Sequence, residues 1–159
     1  MKRVFLSFHY SKDNSRVQQI RNMGRIEGQT LLGYNEWEQV KRQGDSAIES
    51  WIDRQMSGRS CIVVLVGSET ANRKWINYEI RRAWDSGKYI IGLRIHGLKD
   101  LAGNQSAYGN DPFSYIKLKN GKTVADYVPC IDPPTRSSTG TYDWIKNNIE
   151  QVVEKAVKR

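Results

Sequence analysis

Residues 61–66 read Cys-Ile-Val-Val-Leu-Val, six apolar side chains with no polar interruption, and they are stopped by Gly67 and Ser68. A strand with one wet face alternates polar and apolar residues, so an unbroken run this rich in β-branched residues must be covered on both faces. Strands of that kind belong to parallel sheets packed between helices. The rest of the chain therefore has to supply flanking strands and two layers of helix.

It does so in alternation. Residues 3–8 read as a first strand that runs into the polar loop 9–15. A helix starting near Asp13 or Asn14 turns Val17 and Ile20 inward and weakens toward Gly24 and Gly28. Residues 30–34 fit a second strand, and 35–44 a long polar connection carrying Trp37. Ser46 and Glu49 are spaced as a capping box ahead of the stripe Ile48, Trp51, Ile52, Gln55 and Met56, which Gly58 ends. After the central strand and the loop 67–72, a helix buries Ile76, Ile80, Ala83 and Trp84 and stops at Ser86 and Gly87. Residues 89–95 form a fourth strand. From 97 to 122 turn dipeptides dominate, which marks a loop-rich insertion with Phe113, Tyr115 and Ile116 tucked onto the domain. Residues 124–131 complete the sheet, and a last helix presents Ile145, Ile149, Val152, Val153 and Ala156, with Lys155, Lys158 and Arg159 near the negative end of its dipole. This order predicts one α/β domain over residues 1–159: a three-layer sandwich around a parallel sheet of about five strands, with right-handed crossovers.

Charge and cysteine usage narrow the function. A net charge of +8 and a pI near 9.6 invite a nucleic-acid reading, but the Lys and Arg residues are scattered among acids and do not alternate with aromatics. Nucleic acid is disfavoured, while a small phosphorylated ligand remains compatible with the excess. Cys61 and Cys130 have neither metal-ligand spacing nor the density of a secreted scaffold, and both read as reduced. With no apolar run of membrane-spanning length and no signal-peptide pattern, the expected location is the cytoplasm.

In a sheet of this type ligands bind beyond the carboxyl ends of the strands. Several common occupants of that place are excluded. There is no GxGxxG or GxxxxGK motif, no Asp at the end of the central strand to accept a phosphoryl group, and no Gly in the loop after the first strand. Neither cysteine sits where a nucleophile would. Glu79 remains, at the rim of the Ile76, Ile80 and Ala83 stripe and one turn after Trp75. A carboxylate beside an indole can hydrogen-bond ribose hydroxyls and stabilise positive charge developing at an anomeric carbon. On the residues alone, a surface group paired with Arg73 or Arg82 is the plainer reading.

The segments 4–8 and 62–68, and the W-x-x-x-E pattern from Trp75 to Glu79, resemble the first strand, third strand and helix of TIR domains. Residues 3–10, then Gly67, Ser68, Glu69, Thr70, Arg73 and Trp75, and finally Asn110 to Phe113, resemble more closely the TIR-like proteins of bacterial Thoeris antiphage systems. The similarity runs over about residues 3–113. It implies a flavodoxin-like fold that breaks the nicotinamide–ribose bond of NAD and makes a cyclic or otherwise modified ADP-ribose signal for an effector protein. It implies Glu79 as the catalytic group, Phe8, His9 and Tyr10 at the substrate, Asp45 and Ser46 near its adenine or ribose side, and Trp75 as a pocket wall. NAD is then a substrate and no separate cofactor or metal is expected. The chain departs from eukaryotic TIR domains in its insertion after strand four and in its 36–44 loop, so self-association is left open.

Two other readings stand beside this one: a nucleoside deoxyribosyltransferase-like enzyme, which also uses a carboxylate on an α/β frame, and a non-catalytic TIR-like interaction module, suggested by the lack of a second obvious acid or base. Trp37 either packs the loop or meets substrate, Trp51 and Trp84 read as core, and His96 is given no role.

Overall fold

The computed structural model describes residues 2–159. Its elements are β1 (Lys2–Ser7), α1 (Tyr10–Asn22), β2 (Ile26–Glu27), α2 (Tyr34–Arg42), α3 (Asp45–Met56), β3 (Cys61–Val66), α4 (Lys74–Asp85), β4 (Tyr89–Arg94), 3-10 turns at Pro112–Tyr115 and Val124–Asp126, β5 (Cys130–Ile131) and α5 (Ser138–Glu154). All strand pairings are parallel in the order β2-β1-β3-β4-β5, with Phe5 opposite Ile62 and Ile62 opposite Ile90. β3 lies at the centre and every one of its residues is buried.

Alternation along the strands divides the core into two layers. Val4, Leu6, Val63, Leu65, Ile91 and Leu93 face α1 and α5, where Val17, Ile20, Ile145 and Ile149 meet them. Phe5, Ile62, Val64 and Val66 face α3 and α4, where they meet Ile48, Ile52, Ile76 and Ile80. The expected α/β sandwich with five parallel strands is the observed one.

Four local expectations need correction. The second strand is not 30–34 but Ile26–Glu27, because pairing with β1 cannot continue. A Cβ on Gly28 would stand 2.7 Å from the Leu6 side chain, and the Gln29 amide takes the place of a strand, accepting from Leu6 N–H and donating to Leu6 C=O at 2.8 Å each. The polar connection 35–44 is largely the helix α2: Glu36, Glu38, Gln39, Lys41 and Arg42 are good helix formers, the apolar residues Trp37 and Val40 share a face, and Lys41 pairs with Glu38 one turn back. Ser46 does not cap α3, since Gly44, at φ 95°, is the capping residue and Ser46 already lies in the first turn. The last strand is only Cys130–Ile131, because residues 124–126 form a 3-10 turn closed reciprocally by Thr123 and Asp126.

Smaller differences follow the same logic. α1 starts earlier than Asp13, capped by His9, and Ala156 lies beyond the end of α5 while still packing on the core. Within the insertion Phe113 and Ile116 are buried, whereas Tyr115 is exposed. The insertion is held by two buried guanidinium groups. Arg16 donates to the carbonyls of Leu98 and Asn104, and Arg94 to those of Tyr108 and Gly109, all within 2.9 Å. No helix among the described residues is long and apolar enough to cross a membrane.

Candidate active site

The order in which strands are added reverses at β1, with β2 on one side of it and β3, β4 and β5 following on the other, and a crevice opens at such a switch point. Here it is a cavity of about 370 Å³, within the range of small-ligand sites. Phe8, His9 and Tyr10 line it from the end of β1 and the start of α1, Gln29, Leu31 and Leu32 from the segment after β2, Trp37, Glu38 and Lys41 from α2, and Trp75, Ile76 and Glu79 from α4. The early end of β2 makes this space, since the chain leaves β1 where Gln29 takes over.

Glu79 is deeper than the helix rim suggests, at 8% exposure. Ser7 Oγ donates to its Oε1 at 2.7 Å. Burial pushes the carboxyl up to about 8, and the Ser7 hydrogen bond only partly opposes this. The alternative of a surface ion pair does not hold: Arg82 reaches Asp53 at 3.2 Å and Arg73 reaches Glu69 at 3.0 Å. A buried carboxylate that has no cation partner and faces a cavity is poised to meet positive charge there.

The wall beside it is aromatic. Phe8 stacks on Tyr10 with centroids 5.6 Å apart, Tyr10 on Trp37 at 5.7 Å, and Trp37 leans on Trp51 at 5.8 Å. Flat rings in sequence suit a planar base, and Trp37 thus both packs the helix and lines the cavity. On the other side Trp75 packs edge-on to Tyr78 under the Lys74 ammonium. His9 caps α1 by accepting at Nδ1 from Lys12 N–H at 3.1 Å, which requires a neutral ring with its hydrogen on Nε2. Burial, then the nearby Arg73, hold its pKa below the ordinary value and favour that form.

Of the residues singled out in the sequence, Phe8, His9, Tyr10, Trp75 and Glu79 come together on this lining. Asp45 and Ser46 are exposed and lie off it; Asp45 is tied to the rim through an ion pair with Lys74. Sequence reasoning missed Ser7, Gln29, Lys41, Arg73 and Lys74. Ser7 was within reach: two residues after Phe5 in the same strand, it must face α4, and a polar side chain in that apolar face needs a partner.

The sheet order defines a flavodoxin-like α/β domain, and the buried carboxylate and the aromatic-walled crevice mark a candidate ligand site at its topological switch point. Residues 5–100 match the family model described as "Thoeris protein ThsB, TIR-like domain", and the chain belongs to that family. It is 38% identical over 120 residues to a protein of Bacillus cereus (strain MSX-D12) named "Putative cyclic ADP-D-ribose synthase ThsB1", covering 72% of this chain and 62% of that one. The chain thus spans about 62% of the length of the curated relative it matches.

Proposed function

We propose that this protein consumes NAD, breaking its nicotinamide–ribose bond and converting the remainder into a cyclic or otherwise modified ADP-ribose that signals to an effector protein in antiphage defence. The observation that carries this reading is Glu79, a buried carboxylate without a cation partner at the base of an aromatic-walled cavity.

The chemistry suits a single carboxylate. Nicotinamide leaves a positively charged linkage as a neutral molecule, so the departure needs no general acid. What it needs is stabilisation of the oxocarbenium-like centre and orientation of the attacking hydroxyl or water. Glu79 performs both roles from one position: one oxygen is fixed by Ser7, and the other is left to a ribose hydroxyl. Before substrate binds, burial keeps the group largely protonated at neutral pH. The cationic nicotinamide ring draws it to the carboxylate form, so charge appears only when a cation is present to meet it. Glu38, the other carboxylate on the lining, is paired with Lys41 at 2.8 Å and does not compete. No cofactor or metal enters the scheme.

The test is to incubate the protein with NAD and separate the products chromatographically, with lysate of phage-infected cells added to supply an activating trigger. The expected products are nicotinamide and a cyclic or conjugated ADP-ribose in equal amounts. Intact NAD under those conditions, or turnover of deoxynucleosides in its place, overturns the reading.

A further inference from the structure

The same cavity that ends in Glu79 has a mouth of opposite character. Arg73, Lys74 and Lys41 all line it, and the carboxylates nearest them are already engaged: Glu69 by Arg73, Asp45 by Lys74 and Glu38 by Lys41. Arg73 and Lys74 also stand at the start of α4, where the helix dipole is positive. That start has no side-chain cap and no acidic residue in its first turn. Two cations at the positive end of a helix work against local stability, a cost that Glu69, which Lys12 shares, and Asp45 offset only in part, and the free N–H groups of the first turn, which include those of the lining residues Lys74, Trp75 and Ile76, lack a side-chain acceptor. An anion seated there would relieve both costs. The surrounding ion pairs hold the cations in place: Arg73 is fixed to the Glu69 carbonyl and carboxylate at 3.0 Å, and the Lys74 ammonium lies 5.0 Å from the Trp75 ring centre.

We propose that the amino end of α4, with Arg73 and Lys74, and Lys41 from α2 form the seat of the substrate's diphosphate, so that the cavity is polarised along its length. The inference rests on the NAD reading and deepens it. A cationic seat at the mouth and a carboxylate at the base match a dinucleotide whose diphosphate is anionic and whose nicotinamide ring is cationic, and they admit it in one direction only. Arg73 and Lys41 are then specificity-determining residues: they contribute to binding and do not touch the reacting bond.

Calorimetric titrations in the Glu79→Gln background, where turnover does not interfere, test this with two probes: ADP-ribose, which carries the diphosphate, and nicotinamide riboside, which does not. ADP-ribose is expected to bind more tightly than the riboside. Arg73→Gln should weaken ADP-ribose at least about tenfold, as for the loss of a charge-assisted contact, Lys41→Gln a few-fold, and Arg73→Lys less than Arg73→Gln. Riboside affinity should stay unchanged in all three. Equal weakening of both probes, unchanged ADP-ribose binding, or ADP-ribose binding no tighter than riboside overturns the seat. Separate fates keep the two ideas apart: discrimination without NAD cleavage leaves the seat and removes the reaction, and cleavage without discrimination does the reverse. Thermal unfolding of each variant, together with Lys119→Ala on a remote exposed turn, verifies that the fold is intact.

Discussion

Asp13 and Glu79 are both buried carboxylates at the carboxyl end of the sheet, and burial pushes both upward from their ordinary values. Their surroundings differ. Asp13, on α1, is met at 2.8 Å by the Arg16 guanidinium, itself 1% exposed, and packs so closely over the end of β3 that a Cβ on Gly67 would stand 2.2 Å from its Oδ2. Glu79 has a hydroxyl for a partner and a cavity in front of it. A buried charge with its counterion and no free space is a structural lock. One with neither counterion nor filled space is a destabilising feature that a ligand can use, and protein sites commonly store such costs where they act. Burial alone therefore does not separate a functional carboxylate from a structural one.

The contrast can be broken by mutation. Asp13→Asn should have the largest effect on folding, because it leaves the buried Arg16 without its close counter-charge. A loss of about 3–5 kcal/mol is expected in denaturant unfolding. Glu79→Gln should act in the opposite direction. Since burial raises the folded-state pKa to about 8 from the ordinary 4.5, the folded protein holds a proton that the unfolded chain has released. Wild-type stability should therefore be highest below about pH 4.5 and fall as pH rises to about 8, relative to the variant, by on the order of 4 kcal/mol. Melting curves of both proteins across that range check the sign, and parallel curves would mean that Glu79 is not buried uncompensated. Gly67→Ala sharpens the contrast from the Asp13 side. Its methyl must displace the carboxylate, with an expected loss of about 1–3 kcal/mol and no comparable effect from Ser68→Ala next to it. The smallest effect belongs to Ser7→Ala, about 1 kcal/mol in transition-state stabilisation. It removes the donor that opposes the upward shift, so the pH profile of NAD turnover should move to higher pH. Ser7→Thr should restore it in part.

The layered fold was legible because its cause is local and repeated: the unbroken run at β3 and the apolar stripes of α3, α4 and α5 each state their burial in their own period. The second strand was not, because what ends it is a contact between distant residues, Gln29 capping the Leu6 backbone, which no window on 30–34 contains. α2 was hidden by its polarity: its covered face is narrow, and the signal is the Trp37 and Val40 spacing with the Glu38–Lys41 pair. For the site, Glu79 could be placed near a pocket by periodicity, and its resemblance to a W-x-x-x-E helix supplied a chemistry. Its depth and its bond to Ser7 depend on how closely β1 packs against α4. The grouping of cations at the mouth is not legible in sequence: Arg73 stands there only in a matched motif and as a possible partner of Glu79, Lys74 and Lys41 look like any exposed charges among the 25 basic residues, and only the fold brings the three to one opening.

The measurement closest to the central claim is nicotinamide release from NAD by Glu79→Gln and by wild type under the same activating conditions, at matched folded fraction. The variant is expected to be at least as stable at neutral pH and to lose turnover by about a thousandfold or more, as when a preorganised charge at the reacting centre is removed. A folded Glu79→Gln protein that releases nicotinamide at the wild-type rate would contradict it.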